Sequence, residues 1–134
     1  MAKYFTIGEL CRSNTALQRG INNTPTDNAT LERMHALMEN CLDKVREMWG
    51  KPIGVNSGYR SPELNRAVGG AKNSQHVRGE AADITTGSKE GNRKLFDMIC
   101  ASDIDFDQLI DEKGYRWLHI SYSRDYNRKK VLHL

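Results

Sequence analysis

The order of periodicities along the chain is compatible with an α+β domain, although it does not by itself fix that class. Three observations carry the reading. Apolar residues recur at helical spacing from Leu31 to Trp49. Trp117-Leu118-His119-Ile120-Ser121 alternates as a strand does. Between them, Ser57 to Asp83 holds an arginine after a turn, a short helix ending in two glycines, and a histidine and an aspartate separated by a glycine. That stretch organises the rest.

Taken in order, Thr6-Ile7-Gly8-Glu9 has the spacing of a capping box and predicts a short helix. Asn14 to Asn28 is polar and carries Asn22-Asn23-Thr24-Pro25, which predicts an ordered loop, so residues 1–28 read as a short helix and a loop. Leu31, Met34, Leu37, Met38, Cys41, Leu42, Val45, Met48 and Trp49 predict one long amphipathic helix stopped by Gly50 and Pro52. Met and Trp on that stripe are core residues, and His35 lies beside it as a surface or boundary residue. Lys51 to Asn56 reads as a short strand. Ser61-Pro62-Glu63 starts a helix, with Ser as N-cap, Pro at the first position, and Leu64, Ala67 and Val68 inward. Ala81 to Thr85 predicts a strand with Ala81, Asp83 and Thr85 on one face. Ser88 caps a helix carrying Leu95, Phe96, Ile99 and Cys100. Phe106 to Ile110 and Arg116 to Tyr122 form an antiparallel hairpin turning at Lys113-Gly114.

Composition bounds the function. The 134 residues make one domain with a modest core, and 38% hydrophobic against 28% charged residues describe a globular protein. No apolar run approaches membrane-spanning length. The N-terminus has no apolar signal-peptide core, so the expectation is cytoplasmic synthesis. Action outside the cell would then require lysis, a holin or a particle. Cys11, Cys41 and Cys100 are too irregular for a disulfide framework or zinc ribbon. Cys41 and Cys100 read as buried free thiols. The net charge of +3 is mild and its basic residues are scattered, which disfavours nucleic-acid binding. Arg124 and Arg128-Lys129-Lys130 are the exception; residues 123–134 read as a solvated basic tail or a weak attraction to an anionic polymer.

His76, Asp83 and His119 are the candidate metal ligands. A zinc ion bound at about 2.0–2.2 Å needs donors within a few ångströms of one another. Seven residues on a helix would separate His76 from Asp83 by about 10 Å. They therefore require a loop and a strand, with Gly79 turning the chain between them. His119 on the later hairpin completes the set. Two histidines and one carboxylate leave a position for water, the pattern of a catalytic zinc. The alternative is a satisfied polar pair. Ser74, Gly79, Ala81 and Ala82 favour the metal because they permit close backbone approach.

Ser74-Gln75-His76-Val77-Arg78-Gly79-Glu80-Ala81-Ala82-Asp83 resembles the S-x-H-x-x-G-x-A-x-D signature of the zinc D-alanyl-D-alanine carboxypeptidases, a family that includes phage endolysins. Trp117 to Ser121 is similar to its second motif. Ser57-Gly58-Tyr59-Arg60-Ser61-Pro62 and Gly69-Gly70-Ala71 resemble a short branch common in phage and prophage genomes. The resemblance runs from about Phe5 to Tyr122. It implies an α+β fold with a small antiparallel sheet and helices on one side, the hedgehog/DD-peptidase-like fold. It implies Zn2+ held by His76, Asp83 and His119. It also implies that Arg60 holds a substrate carboxylate or the carbonyl oxygen, which suits its planar charged fork; an ordinary salt bridge is the alternative. Ser74 would hydrogen-bond a ligand or the substrate.

The general base departs from better-known members, which often carry an acid three residues before the last histidine. Here that residue is Arg116. The short branch instead resembles Gln108-Leu109-Ile110-Asp111-Glu112. A turn at Lys113-Gly114 puts Glu112 on the face of Ile110 and Gln108, opposite Trp117 and His119. Glu112 is the candidate base and Asp111 the second, because a one-residue slip exchanges them; two exposed acids beside a turn are the alternative. The implied activity is zinc-dependent hydrolysis of an amide in peptidoglycan stem peptides, as a carboxypeptidase or endopeptidase. The competing reading is a non-catalytic, zinc-stabilised module that binds cell wall or protein.

Overall fold

A computed structural model describes residues 2–134. Thr6 Oγ1 accepts the Glu9 N–H and starts α1 (Ile7–Cys11) as the capping box predicts. A second helix, α2 (Asn14–Arg19), stands where a loop was expected. Its signals are local: Ser13 Oγ caps the Ala16 N–H, and Gly20, at φ 65°, returns its N–H to the Ala16 and Leu17 carbonyls. The loop after it is ordered by the buried side chain of Asn23, which bonds the backbone of Cys11, Tyr59 and Ser61.

Asp27 caps α3 (Asn28–Leu37), which passes through a π-helical turn at Met38–Leu42 into α4 (Asp43–Trp49). The long stripe is therefore one rod with a widened turn. The Asp43 N–H bonds the Met38 carbonyl, and Met38, Cys41 and Leu42 are all buried at that turn. Gly50, at φ 77°, ends the rod. His35 is exposed, as its position beside the stripe implies.

Strand β1 (Gly54–Ser57) begins three residues later than expected, and α5 (Pro62–Ala67) starts on its Ser61 cap. Leu64 is buried, but Val68 lies past the helix and is 45% exposed, a correction to its inward assignment. Strand β2 (Ala81–Thr85) leads to α6 (Lys89–Ala101), capped by Ser88. Cys41 is buried, whereas Cys100 at the end of α6 is exposed and is no core thiol. Strands β3 (Gln108–Glu112) and β4 (Trp117–Ser121) form the antiparallel hairpin, with Lys113, Gly114 and Tyr115 all at positive φ in its turn.

The sheet order is β1-β2-β4-β3-β5. The first four strands are antiparallel neighbours, as expected. The fifth, β5 (Lys130–His133), lies parallel to β3, so the tail adds an edge strand while its basic side chains Arg124, Arg128, Lys129 and Lys130 stay exposed. Alternation divides the sheet into two faces. Ala82, Ile84, Leu109, Leu118 and Ile120 pack with Leu95, Phe96 and Ile99 of α6 and with Met34, Leu37 and Met38 in one apolar cluster. Each fully buried Leu or Ile stabilises by about 1.5–3 kcal/mol, so this side holds the fold together. The opposite face is released from that duty and carries Asp83, Gln108, Ile110, Glu112, Trp117 and His119 along a cleft.

Candidate metal centre

His76 lies in the looped segment between α5 and β2. Gly79, at φ 77°, turns the chain back into β2; a Cβ there would fall 2.7 Å from Met34 Cγ. Ser74 Oγ accepts the His76 N–H at 3.2 Å, so it braces the loop that carries the ring. His76 Nδ1 lies 2.8 Å from the Gly58 carbonyl oxygen. A carbonyl only accepts, so Nδ1 carries the proton and Nε2 is left facing Asp83 Oδ1 at 3.4 Å. Gly58 can reach this place because it lacks a side chain: a Cβ would sit 2.4 Å from the Leu10 carbonyl oxygen.

Asp83 and His119 are directly opposed on β2 and β4, with His119 Nδ1 3.2 Å from Asp83 Oδ1. The two imidazole rings meet edge-on, 5.2 Å between centroids. One ligand atom from each of His76, Asp83 and His119 lies within 4.8 Å of the other two. Burial pushes the Asp83 carboxyl up, but protons on the His119 and His76 nitrogens that face it, where no metal takes their place, donate hydrogen bonds and positive charge that hold the group well below the usual carboxylate range. Two ring nitrogens and a carboxylate oxygen thus converge on one point, which needs a proton or a cation between them. The donor set suits a divalent metal of zinc type.

Arg60 approaches from the other side, its Nη2 3.8 Å from Asp83 Oδ2. Its Nε donates to Ser57 Oγ and its Nη1 to Asn65 Oδ1. The backbone on either side is pinned by Asn23, whose Nδ2 donates to the Tyr59 carbonyl while its Oδ1 accepts the Ser61 N–H. Asn23 was legible in the sequence only as part of a turn-rich loop.

Glu112 lines the same cleft, of about 490 Å³, and its Oε2 accepts the Trp117 indole N–H at 3.1 Å. It stands opposite Trp117 in the register, as the turn at Lys113-Gly114 requires. Asp111, the second candidate acid, is on the helix face instead. It is 5% exposed and pairs with His133 of β5. This corrects its candidacy, since alternation along β3 turns it away from the ligands.

Other cleft residues, Arg78 among them, were given no role by the sequence motifs. Gln75 sits at an unspecified position of the ten-residue motif, and Asn73 and Arg128 carried no motif at all. Arg128 reaches the cleft from the C-terminal segment expected to be solvated.

Comparison with known proteins agrees with this arrangement. Residues 3–121 match the family model described as Peptidase M15. Over 87 residues, 63% of the chain, the sequence is 41% identical to the zinc D-Ala-D-Ala carboxypeptidase of Streptomyces albus G. The match covers 32% of that protein, so the chain spans about a third of its relative's length. The matched span runs across the segments that carry His76, Asp83, His119, Arg60 and Glu112. The chain belongs to the Peptidase M15 family.

Proposed function

We propose that this chain is a zinc-dependent peptidase that hydrolyses an amide bond in peptidoglycan stem peptides, as a D,D-carboxypeptidase or endopeptidase. The observation that carries the reading is the convergence of His76, Asp83 and His119 at the floor of a cleft that Arg60 and Glu112 also line. The relative's name supplies the metal and the substrate class. His76, Asp83 and His119 would hold the zinc, which when bound would supply Lewis-acid chemistry toward an amide carbonyl and a water of lowered pKa.

The chain's own groups divide the remaining work. Glu112 accepts the proton of the attacking water and returns it to the leaving amine. Arg60 grips a substrate carboxylate or the carbonyl oxygen with the part of its fork not used by Ser57 and Asn65. Ser74 keeps the His76 loop in place. The motifs at Ser57 to Pro62 and Gln108 to Glu112 favour the short phage and prophage branch, and so a role in lysis.

Purified peptidoglycan digested by the protein and read by mass spectrometry tests activity and bond together. New muropeptides should form, and a chelator should abolish them. Glu112→Gln should slow the reaction by about 10²- to 10⁴-fold while zinc content stays unchanged. Bound zinc with no hydrolysis would instead make the domain a wall-binding module.

A further inference from the structure

We propose that Gln75 is a positioning residue that fixes which nitrogen of His119 faces the metal, and that Arg128 acts on it through Asp107. The inference rests on the metal reading above and extends it to a part of the chain outside the family match, which ends at residue 121.

The chain of contacts has a direction. Arg128 clamps Asp107 in two places, Nε to Oδ1 at 2.9 Å and Nη2 to Oδ2 at 2.8 Å, and its backbone N–H adds a third bond to Oδ1. The Asp107 side chain is only 6% exposed, and the Arg128 guanidinium holds its carboxyl down to about 2. The carboxylate is therefore ionised at neutral pH and can only accept. The Gln75 atom 2.8 Å from Asp107 Oδ2 must then be the donor, Nε2. That orientation points Gln75 Oε1 at His119 Nε2, 3.3 Å away. An amide oxygen only accepts, so His119 carries its proton on Nε2, and Nδ1 is left with its lone pair toward Asp83 Oδ1.

The same logic holds the other histidine, where the Gly58 carbonyl takes the Nδ1 proton and frees Nε2. For His76 the orienting acceptor is backbone. For His119 it is a side-chain amide, which could flip; the ionised Asp107 prevents that, and the cation that holds the Asp107 carboxylate in place is Arg128. The ion pair binds the C-terminal segment to the metal centre, and neighbouring bonds from Lys129 N to Phe106 O and from Lys130 N to Asp107 O keep that segment in register.

The test compares wild type, Gln75→Ala, Arg128→Ala and the double variant. Each is stripped of metal, checked for native circular dichroism, and titrated with zinc against a chromophoric chelator; absorption of the cobalt(II)-loaded forms is recorded. Wild type failing to bind zinc would sink the metal reading itself. With wild type binding, Gln75→Ala should weaken zinc about 10- to 100-fold and shift the cobalt bands. Arg128→Ala should weaken zinc by less. The double variant should be no worse than Gln75→Ala, because Arg128 acts through Gln75. If Arg128→Ala does not fold, Asp107→Asn serves in its place, since an Asn can offer an N–H and release the amide to flip. Unchanged zinc affinity in Gln75→Ala, or additive losses in the double variant, overturns the proposal.

Discussion

Single residues decide where the site's atoms fall. Glu112 and Asp111 are adjacent, yet one faces the cleft and the other the helices, because successive strand side chains take opposite faces. The acid in the cleft keeps its Oε2 near the Trp117 indole, while the buried one is tied to His133. Gly58 is a stricter case. Its carbonyl orients His76, and its missing side chain admits the Leu10 carbonyl, with the Tyr59 N–H bonded to that same oxygen at 2.8 Å. A methyl group there meets backbone, which cannot swing aside. Gly58→Ala should therefore cost about 1–3 kcal/mol in denaturant unfolding, the usual range for overpacking. It should also weaken zinc binding, because the displaced carbonyl no longer sets His76. A variant as stable and as zinc-tight as wild type would show that the loop has room to spare.

Elements bring those residues together. Strands β2 and β4 oppose Asp83 and His119, β3 presents Glu112, and β1 with the turn after it delivers Gly58 and Arg60. Strand β5 supplies no cleft side chain, but it covers the outer edge of β3, which otherwise offers unpaired backbone groups to solvent or to another chain. Ending the chain after Lys129 removes this strand and leaves the Arg128–Asp107 pair intact in sequence. Amide protons of β3 that point toward β5 should then exchange with solvent faster, while those pointing toward β4 keep their protection. Hydrogen exchange read by mass spectrometry or NMR distinguishes the two sets. Equal protection in the shortened chain would mean that β5 is not what shields this edge.

At the scale of the molecule, what the sequence disclosed was what depends on near neighbours. Thr6, Ser61 and Ser88 announced their helices because a cap needs only three residues of context, and the ligands were legible because His76 and Asp83 share one motif. Ser13 gave the same kind of signal but was submerged in a polar stretch. Strand β5 and the Arg128–Asp107–Gln75 chain were not legible, since they join segments 21 and 32 residues apart through tertiary contact alone. That ion pair also links the C-terminal segment's stability to pH. The Asp107 carboxyl is held at about 2 in the folded protein by Arg128, against an ordinary value of 3.8. The folded state thus binds its proton less readily, and the stabilisation is complete above the ordinary value and lost as pH falls through about 2. Because the Arg128 side chain is 47% exposed, solvent screening reduces its worth to about 1 kcal/mol. Arg128→Ala should accordingly be less stable than wild type by about this amount at neutral pH, and the gap should narrow on acidification between about pH 4 and pH 2. Urea unfolding of both proteins across that window measures it, and a gap that stays constant would show that Arg128 stabilises through packing and not through the ionised Asp107.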